Sequence, residues 1–362
     1  MPDVEAYNLD VYAPDPKGNR HPAFNNLIHS TKSQPQGKVL CNIDEMLESK
    51  QRSPNLMGQI KGTPRCFLCN STSAKPLFVK NSYVLARCQG CGLISVLFEH
   101  PITRSELRSS YDKRYFTGTP GYRDYVAERP FRTRSFEKKL DLVKRYLPTR
   151  GRLLDVGSAT GFFLDVVRKR EFEVYGVEIS DFASEYARNL GLNVFTGELE
   201  DARFPNGYFD VVTMWDILEH LPRPLETLHL VNRFLCESGV LVIETLNVAC
   251  LNVRIMGSKW PLYGPPFHLF HFSLSTLRTL LSKAGFEIVE FIPIQTYSPI
   301  HSHKALRYYD NPHMPRRLLL RFFGDVVIAV CRKLPNIREV RRNRFLGNQL
   351  RRESTSVARN ST

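Results

Sequence analysis

The stretch from Arg152 to Gly161, which reads RLLDVGSATG, constrains the fold more than any other part of the chain. Its apolar residues form a short buried-strand pattern, and a glycine turn then opens a helix near Thr160. Gly157 and Gly161 have no Cβ, so the backbone there can bend sharply and approach a ligand closely. Glu178 ends the next apolar run, where a carboxylate can accept hydrogen bonds from both hydroxyls of a ribose. The pattern predicts a nucleoside-containing cofactor.

Strand-like and helix-like segments alternate from residue 151 onward, which predicts a doubly wound α/β sheet covered by helices on both faces. In such a sheet the ligand binds outside the carboxyl ends of the strands. The predicted strands are 152–156, 173–178, 192–196, 209–213, 240–245 and 286–292, and the predicted helices are 161–170, 181–190, 224–235 and 275–284.

The glycine spacing distinguishes two classes of cofactor. A dinucleotide site uses G-x-G-x-x-G to seat a pyrophosphate at a helix N-terminus, whereas the middle glycine is replaced by Ala159 here. Asp155 precedes the turn, where its charge would repel a pyrophosphate but suits a cationic methionine amine and sulfonium. In these residues the chain resembles the class I S-adenosylmethionine-dependent methyltransferases. The resemblance implies a Rossmann-like, seven-stranded methyltransferase sheet, here over residues 149–300, with S-adenosylmethionine as cofactor.

The resemblance continues through residues 209–221, 239–247 and 265–273. It points to the branch that contains ubiquinone-biosynthesis O-methyltransferases and sugar C-methyltransferases. It implies that Glu198 and Leu199 flank the adenine, and that Trp215 and Asp216 lie at the reactive end of the cofactor. The full set of predicted cofactor-binding residues is Asp155, Gly157, Ser158, Gly161, Phe162, Glu178, Glu198, Leu199, Trp215 and Asp216. Asp216 also has a structural interpretation, because Asp216-x-x-Glu219 is typical of a helix start.

Three histidines could supply a general base for methyl transfer. His220 follows the fourth predicted strand, and an imidazole can accept a proton near neutral pH. His268 and His271 lie in the loop before the last helix, where members of the resembling family form a substrate lid. Each of the three could instead pack against or orient a neighbour, since positioning alone can supply much of the rate. We do not expect a zinc pair built from His268 and His271, because no carboxylate or cysteine stands at ligand spacing from them.

Four cysteines form two C-x-x-C pairs, Cys66 with Cys69 and Cys88 with Cys91. Four thiolates make a closed tetrahedral Zn²⁺ site, which is structural because no position is left for chemistry. The alternatives are two disulfides or a redox pair, and a cytoplasmic setting disfavours disulfides. We predict a small N-terminal zinc ribbon over residues 63–98, similar to the one ahead of the sugar C-methyltransferases.

Charge is spread unevenly along the chain, whose net charge is +14. Residues 301–362 hold fourteen lysines and arginines but only four aspartates and glutamates. This basic C-terminal extension could meet an anionic membrane surface or a phosphate-bearing partner, or could serve solubility alone. The closing strand of the fold lies at 325–330 or at 347–359. We favour the second, which would leave 315–334 as a helix, either on a membrane or on the core.

The remaining segments are a mostly disordered region over 1–62 and a helical connector over 99–148. The absence of an apolar run long enough to span a bilayer, and of a signal peptide, favours a cytoplasmic protein. We expect methyl transfer to a small-molecule, sugar or lipid-linked acceptor, with oxygen favoured over a sugar carbon. The alternatives are an RNA-modifying methyltransferase, which the weakly basic ribbon disfavours, and a non-catalytic protein that binds the cofactor and tethers a partner.

Overall fold

The computed structural model describes residues 65–98, 102–118, 124–294 and 324–334. The predicted disordered region, 1–62, lies outside these residues, as does most of the basic extension. Membrane contact through that extension therefore stays a prediction. In the described part of the chain, no helix is long and apolar enough to cross a bilayer.

Strands and helices alternate through most of the described chain. The strands are β1 (Ala74–Lys80), β2 (Tyr83–Cys88), β3 (Ile94–Leu97), β4 (Gly151–Val156), β5 (Phe172–Glu178), β6 (Asn193–Thr196), β7 (Phe209–Trp215), β8 (Leu235–Leu246), β9 (Phe270–His271), β10 (Phe286–Ile294) and β11 (Val326–Lys333). The helices are α1 (Arg104–Ser110), α2 (Lys113–Thr117), α3 (Arg129–Val143), α4 (Phe162–Val167), α5 (Asp181–Asn189), α6 (Pro224–Phe234), α7 (Leu251–Met256) and α8 (Leu274–Lys283).

A seven-stranded sheet with the order β10-β11-β8-β7-β4-β5-β6 forms the centre of the described residues. Strands β4 to β8 pair in parallel, whereas β11 runs antiparallel to both of its neighbours. Apolar side chains are buried on both faces of this sheet under the surrounding helices. The predicted doubly wound α/β sheet of seven strands is confirmed.

Strand β11 corrects two of our expectations about the end of the fold. The closing strand is Val326–Lys333, whereas we favoured 347–359, which lies outside the described residues. The predicted helix over 315–334 is wrong where β11 runs. The reason is burial, because the six residues from Val326 to Cys331 are all inaccessible between β8 and β10. A strand covered on both faces needs a continuous apolar run, which the polar 347–359 segment lacks.

A second, four-stranded sheet has the order β1-β2-β3-β9. Its first three strands come from residues 65–98, which we call the four-cysteine module. Its last strand, β9, belongs to the loop before α8, within the domain that contains the seven-stranded sheet. Antiparallel pairing of Ile94 with His271 and of Ser95 with Phe270 joins the two parts. The module is therefore built into the domain by a shared sheet.

Candidate active site

A cavity of about 990 Å³ opens at the carboxyl ends of β4, β5 and β7. The main sheet forms its floor, and the connector helices and the four-cysteine module close its sides. Its size is at the upper end of the range for small-molecule sites, so it has room for a cofactor and an acceptor together. Of the predicted cofactor-binding residues, those that line it are Gly157, Glu178, Glu198, Leu199, Trp215 and Asp216.

Glu178 lies at the end of β5 and is only 6% exposed. One carboxylate oxygen accepts a hydrogen bond from the Ala159 amide at 2.8 Å, and the other from the Ser180 amide at 2.9 Å. Burial raises the pKa of this carboxyl, and the backbone hydrogen bonds act against that rise. Each oxygen of a carboxylate can accept more than one hydrogen bond, so the group can still receive both hydroxyls of a ribose.

The turn after β4 depends on its glycines. Gly157 has a φ of +75°, and a Cβ there would overlap the side chain of Ile217. Gly161 has a φ of +78° and would clash in the same way with Leu192 and Ala187. The sequence from 157 to 161 therefore forms a turn that side chains at these two positions would block.

Four predicted cofactor residues lie behind the cavity wall and are not among its lining residues: Asp155, Ser158, Gly161 and Phe162. Asp155 is 2% exposed and accepts a hydrogen bond from the Thr213 hydroxyl at 2.6 Å. Burial raises its pKa to about 8. Phe162 stacks on Tyr125, with ring centroids 5.7 Å apart. These four residues therefore belong to the support of the turn at 157–161 and do not form the cavity surface.

Glu198 and Leu199 line the cavity just past the end of β6. Glu198 pairs with Arg104 of α1 at 3.2 Å and with Arg223 at 3.6 Å. Arg104 also pairs with Asp201, so α1 lies across this end as a cover. No motif in the sequence indicated this contribution of the connector.

Trp215 and Asp216 end β7 in the cavity wall. Asp216 has a φ of +54°, and its amide donates to the Glu244 carbonyl at 3.1 Å. A short 3₁₀ turn over Leu218–His220 follows, without a side-chain cap. Our interpretation of Asp216 as a helix cap is therefore wrong, since the chain turns here in a left-handed conformation before any helix forms.

His220 lines the cavity, and its Nδ1 lies 2.9 Å from the Tyr111 hydroxyl, which also lines it. The ring of His268 stands perpendicular to that of His220, with centroids 4.6 Å apart. His268 Nδ1 lies 2.6 Å from the Leu262 carbonyl. A carbonyl only accepts, so Nδ1 carries the proton and Nε2 is the basic nitrogen. Burial lowers the pKa of both imidazoles, which are neutral at pH 7 as a base must be.

His271 lies apart from this pair. It is 0% exposed, sits in β9, and its Nε2 donates to the Tyr263 carbonyl at 3.0 Å. It is not a lining residue of the cavity. The structure thus places it where it supports the loop, away from any acceptor in the cavity.

We expected no carboxylate at ligand spacing from His268 and His271, but the fold brings Glu219 close to His268. Ligand atoms of Glu219, His220 and His268 all lie within 4.8 Å of one another. Sequence spacing could not show this group, because His268 belongs to a loop that is far along the chain from Glu219 and His220. These three side chains could hold a divalent metal ion.

Lys139 is a cavity residue that sequence reasoning missed, because it lies on the connector helix α3. It is 5% exposed, and its ammonium donates to Glu244 on β8 at 2.8 Å. The same ammonium lies 5.4 Å from the centre of the Trp215 ring. The charge of Glu244, with that of Asp216 beside it, raises the pKa of Lys139 against the opposing effect of burial.

The four cysteines of the module meet as predicted from their spacing, with all four sulfur atoms within 4.8 Å of one another. The Cys66 and Cys91 sulfurs are 3.7 Å apart, and those of Cys69 and Cys88 are 3.4 Å apart. Burial tends to raise the pKa of the Cys88 thiol, but backbone and thiol hydrogen bonds lower it to about 6. At pH 7 the Cys88 side chain is therefore favoured as a thiolate.

Comparison with known proteins agrees with this geometry. A family model described as a methyltransferase domain matches residues 129–291. A ubiquinone biosynthesis O-methyltransferase of Saccharophagus degradans is 28% identical over 173 residues, which cover 44% of this chain and 72% of the relative. Its counterpart in Azoarcus sp. is 29% identical over 183 residues, which cover 46% and 78%.

Solved structures give weaker likenesses. A SAM-dependent methyltransferase of Archaeoglobus fulgidus is 23% identical, with a TM-score of 0.44, and the match covers 58% of this chain and 99% of that one. A methyltransferase of Mesorhizobium loti described as S-adenosylmethionine dependent is 16% identical, with a TM-score of 0.41, and covers 54% and 97%.

Proposed function

Because this chain is a class I S-adenosylmethionine-dependent methyltransferase, we propose that it methylates a small-molecule or lipid-linked acceptor on oxygen. The observation that carries the proposal is a single cavity with two chemically different ends. One end has the buried Glu178 carboxylate, which is suited to a ribose, and the other has the neutral imidazole of His220. The relatives named as O-methyltransferases favour oxygen over a sugar carbon.

The residues present fit S-adenosylmethionine. Glu178 would accept the ribose hydroxyls, and Leu199 would pack on the adenine beside Glu198. Asp216 would face the cationic methionine amine, and the indole N–H of Trp215, which is buried and has no partner among the described residues, could donate to a ligand oxygen. When bound, the cofactor would supply an electrophilic methyl group on a sulfonium.

Proton removal from the acceptor falls to the pair of Tyr111 and His220. Both line the cavity, whereas His268 stands behind His220. The Tyr111 hydroxyl would take the acceptor proton as it passes its own proton to His220 Nδ1. Burial and the neighbouring His268 lower the pKa of His220, so its imidazole is neutral before the reaction and Nδ1 can accept that proton. Tyr111 and His220 would thereby leave the acceptor oxygen deprotonated, and the cofactor would supply the methyl group and depart as S-adenosylhomocysteine.

Calorimetry with S-adenosylhomocysteine tests the cofactor site, and a screen with methyl-labelled S-adenosylmethionine tests the acceptor. We expect label on a phenolic or alcoholic oxygen of a small or lipid-linked compound.

His220→Ala should lower turnover about a hundredfold, in the range for loss of a general base, and leave S-adenosylhomocysteine affinity within about twofold. His229→Ala, at an exposed site on α6, is the matched control. Label in RNA alone, or cofactor binding without turnover, would contradict the proposal.

We also propose that the four cysteines hold one structural Zn²⁺. The four ligands needed for a closed tetrahedral site are all present as cysteine sulfurs, so no position would be left open for chemistry. The separations of 3.4 and 3.7 Å between sulfur pairs are longer than a disulfide, whose sulfurs lie about 2.05 Å apart. This supports metal binding over the two-disulfide alternative.

A further inference from the structure

The segment from 257 to 268, which carries His268, contains little regular structure. Its described conformation consists mainly of two 3₁₀ turns, Gly257–Lys259 and Pro261–Tyr263. Backbone carbonyls in such a segment cannot all be satisfied by a helix or a sheet, so other groups must donate to them. The source of those donors shows what fixes the position of His268.

The turn between β1 and β2 of the four-cysteine module supplies several of them. The Lys80 ammonium donates to the Trp260 carbonyl at 2.6 Å and to the Ser258 carbonyl at 3.4 Å. The Asn81 side-chain amide donates to the Pro265 carbonyl at 3.0 Å. Three carbonyls of the segment are thus bound by two adjacent residues of the module.

Histidines bind two further carbonyls from within the domain. His268 donates to Leu262, and His271 donates to Tyr263. The two carbonyls that the histidines bind therefore lie between carbonyls that the module binds on either side. Loss of the module contacts would free the carbonyls on both sides of those that His268 and His271 hold.

Side-chain and strand contacts add to these hydrogen bonds. The rings of Phe78 and Tyr263 are 4.9 Å apart, and those of Phe67 and Phe270 are 4.8 Å apart. The Val96 amide donates to the Leu269 carbonyl at 2.9 Å, beside the β3–β9 pairing. The module thus contacts the segment at Tyr263 and also contacts Leu269 and Phe270, which follow directly after it.

We infer that the four-cysteine module positions the acceptor end of the active site, with Lys80 and Asn81 as positioning residues for His268. The inference rests on the proposed function, since it gives the acceptor end to the His220 and His268 pair. The cofactor end is built from β4, β5 and β7 without the module's Lys80 and Asn81. Disturbance of these two residues should therefore affect one end of the cavity and spare the other.

Hydrogen exchange on the full chain tests this directly. Lys80→Met keeps the length of the side chain but removes its donors. We expect exchange in peptides from 257–268 to rise about tenfold, as for the loss of hydrogen bonds from a charged group. Exchange in β4 and β5, and the affinity for S-adenosylhomocysteine, should stay within about twofold. Carbethoxylation of His268 by diethyl pyrocarbonate, followed by mass spectrometry, should become faster.

Three variants complete the experiment. Lys80→Arg restores a charged donor and should return exchange and His268 reactivity close to those of the unaltered protein. Lys75→Met, at an exposed site on the same strand, should change neither. Asn81→Gly removes one donor, suits the left-handed backbone at that position, and should raise exchange around residue 265 even if Lys80→Met fails to fold. Unchanged exchange in 257–268 for both Lys80→Met and Asn81→Gly, or an equal rise in Lys75→Met, would overturn the inference. A failure of S-adenosylhomocysteine to bind the unaltered protein would instead overturn the proposed function.

Discussion

At the scale of single residues, the cofactor end depends on a carboxylate that the backbone holds in place before any ligand arrives. Glu178 accepts hydrogen bonds from the Ala159 and Ser180 amides, which fix both of its oxygens at the cavity wall. A ligand hydroxyl then meets an acceptor that needs no reorganisation. Such preorganisation lowers the entropic cost of binding.

Glu178→Gln should weaken S-adenosylhomocysteine binding by about tenfold to a hundredfold, because hydrogen bonds to a charged group are lost. The side-chain NH₂ group introduced at this position would also face the backbone N–H of Ala159 or of Ser180, and two donors cannot form a hydrogen bond. Calorimetry measures the change. Glu173→Gln, at an exposed site on the same strand, should leave affinity unaltered. Equal affinity in both variants would remove Glu178 from the ribose site.

Asp155 predicts how stability depends on pH. Burial raises its pKa to about 8 in the folded chain, against about 3.9 when unfolded. Between these values the folded state holds a proton that the unfolded state has lost. The contribution of Asp155 to the free energy of unfolding is therefore fully present below about pH 4, and it is lost as the pH rises towards about 8.

Asp155→Asn should make the free energy of unfolding fall less between about pH 5 and about pH 8, as urea unfolding at the two pH values would show. Asp181→Asn, at an exposed site, should keep the original slope. Since a cationic ligand favours the charged form of Asp155, the substitution should also weaken S-adenosylmethionine more than neutral S-adenosylhomocysteine. An unchanged slope would mean that Asp155 is already ionised in the folded state.

At the scale of elements, helix α3 and strand β8 are joined by the buried pair of Lys139 and Glu244. Such pairs add little net stability, but removal of one partner leaves the other charge buried alone. Lys139→Met should lower the free energy of unfolding by about 3–5 kcal/mol. The double substitution Lys139→Met with Glu244→Leu should recover most of that loss. Additive losses in urea unfolding would show that the two side chains do not act as a pair.

Strand β11 completes the sheet, and its side chains face the core on both sides. Ile328→Ala should therefore lower the free energy of unfolding by about 2–5 kcal/mol, the range for a large residue truncated in a core. Leu334→Ala, one residue past the strand and 39% exposed, should stay within about 0.5 kcal/mol. Similar losses at both sites would contradict the central place of β11.

At the scale of the whole molecule, three parts of the chain enclose one cavity. The main sheet supplies the cofactor end, the connector supplies Arg104, Tyr111 and Lys139, and the four-cysteine module supplies the remaining wall. Each part contributes groups that the others lack. Activity should therefore depend on the folding of all three together.

The purified chain should contain about one Zn²⁺, and Cys69→Ser should lose it, because a structural site needs all four ligands. Mass spectrometry of the metal content measures this, and thermal unfolding should shift to lower temperature in the variant. Cys236→Ser, at an isolated cysteine outside the module, should retain the metal. Intact disulfides between the four cysteines, found by peptide mapping, would contradict the metal site.

Local patterns determined much of this protein. The turn from Gly157 to Gly161, the carboxylate of Glu178 and the two C-x-x-C pairs were each visible in the sequence, because they act through neighbours in the chain. The order of alternating segments likewise predicted the sheet. These features need only short-range geometry, which the sequence specifies directly.

Only the tertiary structure decided which segment closes the sheet and which side chains share the acceptor end. Val326–Lys333 is the closing strand because that position is buried on both faces. Glu219 and His220 meet His268, and Lys139 meets Glu244, across more than forty residues of chain in each case. We expected Asp155 to face the methionine part of the cofactor, but its packing against Thr213 of β7 places it behind the cavity wall. Contacts between distant residues arise from packing, and no local pattern encodes them.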